Sequence, residues 1–168
     1  MEAATEQAER DKVWSLIKDA HSAVLVTVGP GGVLQSRPMG CLQKAFDGVL
    51  WFLTFRHSVK IDEITSNERV LVSYADPKKY EYVSVTGRAR ALDDRAKIKE
   101  LWNEALRVWF PDGPDNPELI LIAVEVDEAA YWTNAESLPG YAWKYVRAAV
   151  TGEAAKGSEV VDTNKVRY

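Results

Sequence analysis

The sequence predicts an α+β domain, mainly β, in which a six-stranded antiparallel sheet closes into a small barrel with flanking helices. Three observations carry that expectation. The chain has 168 residues, 46% hydrophobic and 27% charged, which suits one globular domain with its own core. Six runs have strand character, rich in β-branched and aromatic residues, and Gly, Pro and Asp turns separate several of them. Helical-period segments interrupt these runs, while most strand connections are short enough for hairpins. Closing such a sheet removes its edges.

The elements follow in order. Residues 1 to about 11 are expected to fray. Val13, Leu16, Ile17 and Ala20 then repeat at helical spacing, predicting an amphipathic helix. The period changes to two over residues 23–28 and, after the turn GPGG (29–32), over 33–40. Asp47-Gly48 is a strong hairpin signal and predicts that 41–46 pairs with 49–55. A helix follows from Ser58, with Ile61 and Ile64 on one face. Residues 70–75 read as the fourth strand, Asp76-Pro77 as a turn, and 80–92 as a long fifth strand. Asp93 is the expected cap of a helix whose face carries Ile98, Leu101, Trp102 and Ala105. The loop WFPDGPDNP (109–117) leads to the sixth strand, 119–126. Leu138, Tyr141, Ala142, Tyr145 and Val146 suggest a last helix. The domain is expected to span 1–150, and 151–168 to be a mobile polar tail.

Composition excludes several function classes. A net charge of −4 argues against a nucleic-acid footprint. The single cysteine, Cys41, rules out an internal disulfide or a CxxC site and fits a reducing cytoplasm. The N-terminal MEAATEQAERDK has no apolar leader segment, and the apolar run 119–124 is too short to span a bilayer. The expectation is a soluble cytoplasmic protein without membrane contact. GxGxxG after a strand, GxxxxGK[ST], HExxH and GxSxG are all absent. With two histidines in all, no metal centre is expected. Cys41 reads as packing, and Asp62-Glu63 and Asp93-Asp94 as helix-start residues. No catalytic side chain is assigned.

WFLTFRHSVKIDEI (51–64) raises a different possibility. Arg56, His57 and Lys60 crowd the start of a helix, where the macrodipole favours negative charge. Arg37 on a strand (with Pro38 marking a sheet edge), Thr54 at a strand end, and Ser58-Val59-Lys60 together offer a guanidinium, hydroxyls, backbone N–H groups and an ammonium. That is the donor set of a phosphate site. Taken singly, a solvated arginine, a capping serine and a surface lysine near Asp62 and Glu63 explain the same residues. Of six tryptophans, Trp14, Trp51 and Trp102 read as packing. Trp109 and Trp132, placed near loops, are the ones free to touch a ligand.

Taken in order, these segments resemble the pyridoxamine 5′-phosphate oxidase-like FMN-binding split barrels, and within them the bacterial general stress proteins. The similarity runs from about Glu9 to Trp143. It is carried by Ser36-Arg37-Pro38-Met39, Trp51-Phe52-Leu53-Thr54 with Ser58-Val59-Lys60, the 70–74 strand with Asp76-Pro77, and Tyr82 to Gly87. Asp94-Arg95, Leu101-Trp102, Trp109 to Gly113 and Tyr131-Trp132 complete it. The resemblance implies a split barrel, a homodimer, and FMN between the subunits; FAD or a deazaflavin would present the same phosphate and fused ring. It implies that Arg37, Ser58 and Lys60 hold the phosphate, with Val59 in the same segment. Phe52, Leu53 and Thr54 would lie along the ring, flanked by Pro38 and Met39. Tyr82 would contact the flavin, and Trp132 would reach it from the partner subunit. Arg37 and Lys60 would then serve the ligand and not the core.

Two departures narrow the implied function. Leu42 stands where the true oxidases have a second basic residue, and the chain ends Lys165-Val166-Arg167-Tyr168 in place of their arginine-leucine-x-proline ending. Vitamin B6 oxidation is therefore not expected. A flavin-dependent oxidoreductase using a small-molecule electron donor, a non-catalytic flavin carrier or sensor, and an interaction domain without flavin all remain open.

Overall fold

Helix α1 (Glu2–Ile17) opens the chain and is followed by strands β1 (Ser22–Val28), β2 (Leu34–Gly40) and β3 (Val49–Phe55). Helix α2 (Val59–Ser66), strands β4 (Arg69–Asp76) and β5 (Glu81–Leu92), and helix α3 (Arg95–Leu101) come next. A 3₁₀ turn (Glu104–Val108) precedes strands β6 (Leu119–Asn134) and β7 (Val161–Arg167). The computed structural model describes residues 2–46, 48–134 and 161–168, with side chains described for 7–46, 48–133 and 165–168.

All the strand pairs are antiparallel, in the order β2-β1-β4-β5-β6-β3, with β7 added to β6. The length of β6 explains its three neighbours. Residues 119–125 pair with β3 and 128–134 with β7, while β5 lies along its other side. The end strands β2 and β3 touch without forming a ladder, so the barrel is split there. Pro38 lies on β2, an end strand, where a missing N–H costs no ladder bond.

Alternation along the strands fills the interior. Leu25, Phe52, Val72, Val85, Ile122 and Val124 are almost wholly buried in one cluster with Val13 and Ile17 of α1. A second cluster joins Leu53, Ile98, Phe110, Leu119 and Leu121 on the other face of β3 and β6. Burying one such side chain contributes about 1.5–3 kcal/mol, so these two layers, with the helix residues packed into them, hold the sheet.

Several expectations are corrected. Helix α1 begins at Glu2 instead of fraying to residue 11; Tyr131 Oη donates to Glu9 Oε2 at 2.9 Å and fastens the helix to β6. Residues 41–46 form no strand, and β3 pairs with β6. The Gln43 side chain takes the ladder position beside β3: Trp51 N–H donates to its Oε1 and its Nε2 donates to Val49 C=O, both at 2.8 Å. The glycine signal itself was sound, since Gly48 has φ +90°. The cap of α3 is Asp94, which accepts from Lys97 N–H, and the helix stops at Leu101. Residues 161–167 of the expected tail form a seventh strand. Strand β6 continues through Trp132, which lies within a strand. The helix predicted over 138–146 lies outside the described residues.

Candidate functional site

Strand β3 ends in Thr54-Phe55, and one tight turn later Ser58 starts α2. Ser58 has the extended backbone of an N-cap, φ −82° and ψ 144°, yet its hydroxyl makes no capping bond. That hydroxyl lies 3.4 Å from Thr54 Oγ1, which also accepts from Lys60 Nζ at 3.0 Å. Ile61 N–H donates to Ser58 C=O at 2.8 Å, so the N–H groups of Val59 and Lys60 point out of the first turn of α2. Two hydroxyls, an ammonium and the positive end of a helix thus converge, as a phosphate requires. Ser58 and Lys60 are half-buried and Val59 is exposed.

Arg37 reaches the same helix from β2. Its Nη2 donates to Glu63 Oε2 at 2.6 Å and its Nη1 donates to Thr27 Oγ1. Thr27 in turn donates to the same carboxylate oxygen at 2.6 Å. Thr27 and Glu63 are 0% and 5% exposed, and the Arg37 side chain 20%. Burial alone would raise the Glu63 carboxyl, but hydrogen bonds from Thr27 and Arg37 and the charges of Arg37 and Lys60 hold it below its ordinary value. Burial is also the main force lowering Lys60; the Arg37 charge adds to it and Glu63 opposes it. One electrostatic cluster therefore joins Arg37, Lys60 and Glu63.

The structure does not bring every expected residue into this cluster. Arg56 pairs with Asp93, and the exposed His57 lies 3.5 Å from Glu118. Of the basic residues Arg56, His57 and Lys60 at the helix start, Lys60 alone among the described residues faces the site. Phe52 and Leu53 are 1% and 7% exposed and fill opposite core clusters, so their side chains have no surface to offer a ring. Met39 is also core, while Pro38 is exposed. Backbone remains available. Trp51 N–H and Val49 C=O face the open edge of β3, and by the alternation of an edge strand the N–H and C=O of Leu53 face it too. Tyr82 and Trp132 are direct cross-strand partners, both exposed on the outer face of the sheet.

Thr27 and Glu63 were missed from sequence. Both break a pattern that should have exposed them: Thr27 follows Ala23 and Leu25 on the inward face of β1, and Glu63 falls beside Ile61 and Ile64 on the buried face of α2. The Cys41 thiol is pushed up to about 11 by burial, which disfavours the thiolate that a nucleophile needs near neutral pH. Among the described residues, no group of His, Cys, Asp and Glu could hold a metal ion, and no helix is long and apolar enough to cross a membrane. A cavity of about 250 Å³ beside α1, lined by Arg10, Trp14, Phe46 and Tyr168 among others, contains none of the residues of the Arg37–Lys60–Glu63 cluster.

Comparison with known proteins agrees with this architecture. The family model described as "Pyridoxamine 5'-phosphate oxidase like" matches residues 8–156. Protein bli-3 of Neurospora crassa is 28% identical over 133 residues, 74% of this chain and 64% of that protein. The chain spans just under two thirds of the curated relatives it matches, 64% and 63%. A putative general stress protein 26 from Jannaschia sp. CCS1 superposes with a TM-score of 0.75 at 18% identity, covering 96% of this chain and 99% of that one; at that identity the likeness concerns the fold. The general stress FMN/FAD binding protein from Xanthomonas citri is 27% identical with a TM-score of 0.66, covering 76% of this chain and 90% of that one.

Proposed function

We propose that this chain, which belongs to the pyridoxamine 5′-phosphate oxidase-like family, binds FMN and works as a flavin-dependent oxidoreductase of the general stress type. The convergence of Lys60, Thr54, Ser58 and the start of α2, with Arg37 coupled to it through Glu63, carries the proposal. The name of the Xanthomonas citri relative, an FMN/FAD binding protein, supports the same ligand class. Lys60, Ser58 and the N–H groups of Val59 and Lys60 bind the phosphate, and Arg37 adds a second cation. The open edge of β3 orients the ring through the backbone of Leu53, with Pro38 beside it. Flavin supplies the electron-transfer chemistry when bound, and the protein supplies binding, orientation and shielding from water.

A site on the strand edge covers one side of a planar ligand, whereas cofactor pockets bury most of it. We therefore assign the second wall to a partner subunit in a homodimer, with the partner's Tyr82 and Trp132 as its aromatic face. Vitamin B6 phosphates are poor substrates in this reading, because Leu42 packs on the second core cluster and offers no cation there. A single cysteine keeps the cytoplasm as the expected compartment.

The alternative is a flavin carrier or sensor. It draws on the acid-base side chains: Glu63, the carboxylate of the cluster, is already committed to Arg37 and Thr27. Turnover separates the two. Purified protein loaded with FMN is mixed with NADH or NADPH and an acceptor, and many cycles per flavin are expected. Failure with every common donor, despite tight FMN binding, would assign the protein to the carrier class.

A further inference from the structure

Arg37 is tied to buried polar partners on two other elements. Thr27 on β1 and Glu63 on α2 hold separate nitrogens of its guanidinium and also bond to each other, closing a three-membered ring of hydrogen bonds. The two partners are 0% and 5% exposed. A carboxylate taken out of water to that extent persists only with a charged, hydrogen-bonded partner. Glu63 also stands three residues after Lys60 on α2, so the two share a helix face. Holding the guanidinium at Glu63 therefore fixes it one helical turn from the ammonium. A guanidinium has five N–H donors; one donor on each Nη is used here, and the side chain keeps 20% of its surface open.

We propose that Glu63 and Thr27 are positioning residues: they clamp Arg37 so that its unused donors stay beside Lys60, and the clamp sets the site's preference for a phosphate-bearing flavin. The inference rests on the phosphate-site reading above. An arginine side chain left unclamped samples many rotamers, and a phosphate must then order it on binding. Clamped, it meets the anion in a preset fork orientation. The same carboxylate repels a phosphate by charge. The two effects have opposite signs, which makes the proposal testable.

Affinities for FMN and for riboflavin, which lacks the phosphate, are measured by quenching of flavin fluorescence for wild type, Glu63→Ala, Glu63→Gln and Thr27→Val. The ratio of the two affinities isolates the phosphate, and riboflavin affinity reports whether the rest of the site has survived. Wild type is expected to prefer FMN. Glu63→Ala is expected to lose about tenfold of that preference, the scale of one charge-assisted hydrogen bond, with riboflavin affinity unchanged. Glu63→Gln retains an acceptor for Arg37 and should keep most of the preference. Thr27→Val, close in shape, should lose about threefold, roughly half as much in free energy.

A preference for FMN that is equal to wild type in both Glu63→Ala and Thr27→Val overturns the clamp and leaves the phosphate site standing. A preference that rises in both Glu63 variants also overturns it, making Glu63 a counter-charge. A wild type that binds FMN no better than riboflavin overturns the phosphate site and the clamp together. If Glu63→Ala does not fold, Thr27→Val decides alone, and a ratio equal to wild type overturns the clamp.

Discussion

Lys60 and Arg37 carry the same charge in the same cluster, yet their removal has different consequences. The ammonium of Lys60 bonds only Thr54 among the described residues, so Lys60→Ala is expected to weaken FMN binding by about 1.5–3 kcal/mol and leave the melting temperature unchanged. Arg37→Ala should lose a similar amount of binding and also strand Glu63, costing about 1–3 kcal/mol of stability. Sequence alone suggested that both residues serve only the ligand; the buried carboxylate corrects that for Arg37. FMN titration with parallel urea unfolding of each variant separates the two effects. Glu63 also links stability to pH. Its folded carboxyl lies below the ordinary 4.5, so its stabilisation is fully present above that value and lost as pH falls through the lower folded value. Urea midpoints followed from pH 7 downward should fall less steeply in Glu63→Gln than in wild type. Equal slopes would mean that the carboxyl titrates alike folded and unfolded.

At the scale of elements, legibility depended on whether a signal was local. The runs of strand character at 23–28, 33–40, 49–55, 70–75 and 80–92 all correspond to strands, because that character is carried by the residues of the strand itself. The partner of β3 was not legible. Asp47-Gly48 marks a turn but cannot tell whether the preceding arm will offer backbone or, as Gln43 does, a side chain. Strand β7 was equally hidden, since VDTNKVR is polar and its place is fixed by the far half of β6. Strand β5 carries a bulge at Thr86/Gly87 opposite β6. A Cβ on Gly87 would stand 2.2 Å from the carbonyl oxygen of Glu125, whereas one on Gly40 would meet nothing within 4 Å. Gly87→Ala should therefore cost about 1–3 kcal/mol as β5 and β6 are forced apart, and Gly40→Ala should stay within about 0.5 kcal/mol of wild type. Chemical denaturation of the two variants checks this, and equal stabilities would contradict the bulge geometry.

Among the described residues, one sheet face carries exposed apolar side chains. Val24, Tyr82 and Trp132 are 42%, 39% and 36% exposed on the outer side of neighbouring strands, while the barrel interior is filled by side chains and has no room for a tricyclic ring. The proposed homodimer, with the flavin shared between subunits, would account for both facts. Sedimentation should then give a dimer whose thermal stability rises with added FMN by mass action. A monomer that binds FMN tightly at micromolar protein would contradict the shared site. The barrel, and the meeting of Lys60 with Thr54 and Ser58, were legible from ordered motifs, but the hydrogen bonds of Thr27 and Glu63 to Arg37 needed three elements to meet and could not be read from any one of them. The most direct test is the visible absorption spectrum of the protein as purified, with mass spectrometry of the ligand released on unfolding. A yellow protein releasing a phosphate-bearing flavin is expected; a colourless protein that takes up no added FMN, FAD or deazaflavin would contradict the proposed function.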